Sequence, residues 1–151
     1  MMRRRGSMSW TPAVLTLWLL LAGVGVLVAI EVESRRLAAD NRAEEARAEA
    51  ALTRDAHAYA DAVIAVGELA PTDERLAAVA GVNRVEVREV HRAPALSVVV
   101  YGTERYATTF GMATMLACHR VTFRDLGAGA ARAAVERLPI CPGAGSRPAP
   151  S

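Results

Sequence analysis

Residues Val85–Phe110 read VEVREVHRAPALSVVVYGTERYATTF, and over them apolar side chains recur at every second position. Val85 and Val87 alternate with Glu86 and Arg88, the pattern of a strand with one buried face. Leu96–Tyr101 is a β-branched run, and Tyr106, Thr108 and Phe110 alternate as a third strand. His91-Arg92-Ala93-Pro94 and Gly102-Thr103-Glu104 supply the expected turns. Strands joined by such short turns pair antiparallel. A further strand is predicted over Met115–Arg124, with His119, Val121 and Phe123 on one face.

Towards the C-terminus the chain reads CHRVTFRDLGAGAARAAVERLPIC over Cys118–Cys141. The two cysteines are predicted to form a structural disulfide, since no C-x-x-C redox spacing is present. If they are cross-strand partners, Val121 faces Leu138, Phe123 faces Glu136 and the tip falls at Gly129-Ala130. The competing expectation for Gly127–Arg137 is a helix, which Ala-Ala-Arg-Ala-Ala-Val-Glu-Arg favours by intrinsic propensity. The glycine-rich G-x-G-x-x-R lacks the third glycine of a dinucleotide fingerprint, and no acidic residue follows at the required distance.

Towards the N-terminus, Thr72-Asp73-Glu74 reads as a cap and first-turn acids for a short helix through Ala80, ended by Gly81. Before it, Glu31–Ala70 is built of alanine, arginine and glutamate, and predicts a long helix stopped by Pro71. Its first half offers the pairs Glu31–Arg35 and, in reversed order, Arg36–Asp40, with little apolar area, and reads as a solvated stalk. In its second half Leu52, Ala56, Tyr59, Val63, Val66 and Ala70 form one apolar stripe. The sheet is expected to cover that stripe; a coiled coil with a second copy would have fewer than three heptads.

No charged residue occurs from Gly6 to Ile30, and the 20 residues Thr11–Ile30 would extend about 30 Å as a helix, enough for one membrane crossing. A cleaved signal peptide is the alternative, but its apolar region runs ~7–15 residues, and only Gly23-Val24-Gly25 imitates a cleavage site. Trp10 suits the interface, whereas Trp18 lies too deep for it. Gly25 and Ala29 are a small-xxx-small pair that would allow two such helices to approach closely. Three arginines on each side leave orientation undecided by charge. The cysteine pair decides it, because a disulfide in a small domain persists outside the cytosol.

The fold class expected is therefore α+β: a single N-terminal transmembrane helix, a long Ala/Arg/Glu-rich helix, then an antiparallel sheet of about four to five strands closed by one disulfide. The divisions are a short cytoplasmic tail (1–10), the span (11–30), an extracytoplasmic stalk (31–70), a small α+β domain (71–142) and a disordered tail (143–151).

Composition narrows function by exclusion. A net charge of +2, with 18 basic residues dispersed among 16 acidic ones, gives no footprint for nucleic acid. All the basic residues are arginine, which suggests a GC-rich, actinobacterial genome. No catalytic, cofactor or metal site is expected. Ser34, Ser97, Ser146 and Ser151 lack a G-x-S-x-G context, and His57, His91 and His119 form no H-x-H or H-x-x-x-H pair. Cys118 and His119 are neighbours on a strand and point to opposite faces. Asp55, Asp61 and Glu68 read as solvating groups on a helix. A dispersed-site enzyme or small-ligand sensor, the alternative function, would have to use His91, His119 and Arg120.

The plan of tail, span, alanine-rich helix and small sheet, with ARAEAALTRDAHAYADAV at Ala46–Val63, is similar in outline to the Mce-associated membrane proteins, accessory subunits of envelope lipid-transport systems. That resemblance implies an accessory role and transfers no functional residue. The expected partners are the lipid bilayer and other envelope proteins or further copies of the chain, met through the helix stripe or a sheet edge.

Overall fold

The computed structural model describes residues 12–127 and 129–142, with side chains from Thr16 onward; the tails expected at 1–10 and 143–151 lie outside the described residues. Helix α1 spans Pro12–Val66 and α2 Asp73–Val82, followed by strands β1 (Val85–His91), β2 (Ser97–Thr108), β3 (Gly111–Arg124) and β4 (Arg132–Leu138). The four strands form one antiparallel sheet in sequence order. The α+β class and the long N-terminal helix are as expected. Contacts divide the chain into two units, residues 1–40 and 41–151.

In the first unit the apolar residues of α1 face outwards all round: the large hydrophobic side chains from Leu17 to Ile30 are 56–68% exposed. A helix apolar on every side, long enough to cross a bilayer and buried against nothing is suited to lipid. Beyond it the polar segment carries the expected Glu31–Arg35 ion pair at 2.9 Å. Arg36 does not reach forward to Asp40; it lies 4.0 Å from Glu33, one turn back.

The second unit takes in the second half of α1, so the compact body begins at Asn41, well before residue 71. Ala48, Leu52, Ala56, Tyr59 and Val63 are buried, and the last three join Leu76, Val98, Val100, Val121 and Phe123 in one core. The stripe is thus covered by the sheet, with Val66 half-buried and Ala70 exposed beyond the helix. Helix α1 ends at Val66, four residues short of Ala70, because Gly67 takes the left-handed conformation (φ 72°) and its N–H returns to Ile64 O at 3.0 Å. Thr72 caps α2 by accepting from the Arg75 N–H at 3.2 Å. Gly81 does not stop α2, which runs on to Val82 with Asn83 as its C-cap. Helix α2 lies along β1.

Two sheet expectations are corrected. Gly102-Thr103-Glu104 is not a turn: β2 runs straight through it, and the reversal comes at Thr109-Phe110. The two predicted strands are one, so the sheet has four. Gly102 is there for packing, since a β-carbon on it would lie 2.9 Å from Leu52 Cδ2. Residues 132–138 form a strand, and the strand wins over helix propensity because Ala133 and Val135 pack against the core. Its register differs from the cross-strand cysteine scheme by three: Cys118 pairs with Leu138, Val121 with Val135 and Phe123 with Ala133.

In β1 the register shifts between Val87 and Glu89, a bulge at Arg88. The bulge restores alternation so that Val85, Val87 and Val90 all meet the core. The Arg88 guanidinium lies 4.6 Å from the centre of the Tyr101 ring.

Candidate functional site

Polar groups converge in one place under α1. His119 alternates with Val121 and Phe123 on the face of β3 that meets the helix, and it is 3% exposed. Thr53, half-buried on α1, brings its Oγ1 to 3.4 Å from His119 Nε2. The Thr53 hydroxyl donates to Glu49 O at 3.0 Å, so its oxygen is left to accept from Nε2–H. That assigns the proton of the neutral ring to Nε2. Arg137, the β4 partner of His119, forms an ion pair with Glu49 of α1. Burial, and secondarily the charge of His57 one turn along α1, holds His119 below the usual histidine range.

The group His91, His119 and Arg120 is not assembled. His119 and Arg120 take opposite faces of β3, as strand neighbours must. Arg120 is exposed, 4.0 Å from Glu136. His91 ends β1, two strands away, with its Nε2 3.2 Å from Glu89. Asp55 pairs with Arg84 at 3.1 Å and Glu68 with Arg75 at 3.4 Å, which disperses the acids of the helix. Among the described residues no group of three or more His, Cys, Asp and Glu side chains could hold a metal ion. Tyr59 is buried, and its hydroxyl has no hydrogen-bond partner among the described residues; burial raises its pKa.

Cys118 and Cys141 are bonded, with Cα atoms 5.3 Å apart. They are not paired strand positions: Cys141 lies beyond the end of β4, after Pro139, and comes back over Cys118 on the face away from α1. Met112 and Leu116 precede Cys118 on that face by alternation, and are 60% and 54% exposed. Ile140, beside Cys141, is 81% exposed, and Phe110 at the β2–β3 turn is 97% exposed.

Of the two surfaces expected to meet partners, the helix stripe is spent on the core. Among the described residues one sheet edge remains: β4 pairs with β3 alone, whereas β1 has α2 alongside. The Met112–Leu116 face escapes a reading by periodicity because Ala113, Met115 and Ala117 make the opposite face apolar too, so the segment does not alternate. The His119–Thr53 contact joins residues 66 apart and has no local signature.

No family model matches the chain, and neither curated proteins nor solved structures give a match.

Proposed function

We propose that the protein is a single-pass, membrane-anchored, non-enzymatic interaction or accessory protein of the cell envelope, with its disulfide-closed domain on the extracytoplasmic side. The observation that carries this reading is the outward-facing apolar surface of α1 from Leu17 to Ile30, which none of the described residues covers. The disulfide supports the orientation, because such bonds persist outside the cytosol. With the long helix stripe in the core, partner contacts fall to the β4 edge and to the Met112–Leu116 face beside the disulfide. Exposed apolar side chains gathered on one face are a common feature of interaction surfaces.

The lipid bilayer is the first partner, and other envelope proteins or further copies of the chain are the second. The test is extraction. The full chain should remain in the membrane pellet through alkaline carbonate and leave it only in detergent, and after mild detergent it should migrate with other envelope proteins or as an oligomer. Release by carbonate, or a lone monomer in every mild detergent, contradicts the reading.

A further inference from the structure

Among the three histidines, His91 lies against a carboxylate and His57 is exposed. His119 differs. It is enclosed between α1 and the sheet, and its neutral ring is held by one contact, Nε2–H to Thr53 Oγ1. A second proton would place a donor at Nδ1, to which none of the described residues offers an acceptor, and a charge in a buried seam.

The surrounding charges do not welcome that cation. From α1 come Glu49, Thr53 and His57; from β4 comes Arg137; β2 presents Val100. The one carboxylate, Glu49, is engaged by Arg137. His57, one turn along α1, adds a further coulombic cost to a charge on His119.

We propose that His119 is an acid-sensitive latch, holding residues Ala48–Ala60 of α1 on β3 and β4 when neutral and loosening them when protonated. The inference goes beyond anchoring and stands whichever way the chain is oriented. The sign follows from linkage. The closed seam binds the proton less well than an opened, solvated His119 with the ordinary value of 6.5, so acid favours opening. Between 6.5 and the value in the closed seam, each pH unit favours opening tenfold. The rest of the sheet has its own staple, the Cys118–Cys141 bond, and is not held by this contact. Loosening would bring Leu52, Ala56 and Tyr59, now in the core, to the surface.

The experiment is hydrogen–deuterium exchange on the full chain in detergent micelles at pH 7.5 and 5.5, with each amide corrected for its intrinsic rate. Protection over residues 50–60 should fall at the lower pH, by up to about tenfold, while residues 98–101 of β2 change much less. His119→Gln, which keeps a donor for Thr53 and cannot take the charge, should retain protection at pH 7.5 and lose the pH dependence. Unchanged protection in the native chain, equal loss in α1 and β2, or an undiminished pH dependence in His119→Gln would each overturn the latch. If His119→Gln does not fold, His57→Gln decides: removal of that exposed neighbour must reduce the loss at pH 5.5, and an unchanged loss overturns the proposal.

Discussion

Leu52 of α1 lies directly over Gly102 of β2, its Cδ2 at 2.9 Å from the point a β-carbon there would occupy. This contact sets how closely the helix approaches the sheet. Gly102→Val overfills it and should cost about 1–3 kcal/mol. Leu52→Ala empties a side chain that is 2% exposed and should cost about 2–5 kcal/mol. The two should couple, because the cavity left by one accommodates the other: urea denaturation of the double variant should show a loss smaller than the sum of the single losses. Strict additivity would show that the two side chains do not share the space.

The same contact explains what was legible in the sequence and what was not. Alternation of Val85 with Val87 and the 3–4 spacing from Leu52 to Val63 report local geometry, and both α1 and the sheet follow from them. Gly102 has two uses, turn and close approach, and only the tertiary partner Leu52 distinguishes them. The register of β4 is likewise set by Ala133 and Val135 meeting the core, so a scheme built on the cysteines is displaced by three residues. The bulge at Arg88 and the His119–Thr53 contact depend on distant parts of the chain and leave no periodic trace. The apolar run to Ile30 is legible because lipid demands composition alone.

The cross-link closes a loop with a sequence separation of 23, for which chain entropy gives about 3 kcal/mol. Cys118→Ala and Cys141→Ala should each lose about that much, and the double alanine variant little more. The serine pair should be unequal. Cys118 is fully buried and Cys141 only partly, so Cys118→Ser also leaves a hydroxyl in the interior, at a further cost of about 1–3 kcal/mol. Thermal melts of the four variants beside the native chain measure this; equal melting of the serine variants would place Cys118 nearer the surface.

Tyr59 carries a buried hydroxyl without a partner among the described residues. Tyr59→Phe removes it while keeping the ring that fills the core. Stability should be unchanged or should rise by up to about 1–3 kcal/mol. A loss above about 1 kcal/mol would reveal a hydrogen bond at that hydroxyl.

Thr72 caps α2 through its side-chain oxygen. Thr72→Ala should cost about 1 kcal/mol and Thr72→Ser much less, read as urea midpoints. Equal effects from the two would mean the hydroxyl makes no cap.

Anchorage and orientation together are tested most directly by thiol labelling of intact cells. After mild reduction of the Cys118–Cys141 bond, a membrane-impermeant maleimide should reach Cys141, the partly exposed member of the pair, before lysis, in a chain that still contains residues 11–30. Labelling only after lysis would place the domain on the cytoplasmic side, and a labelled chain lacking those residues would show that the apolar helix is removed and anchors nothing.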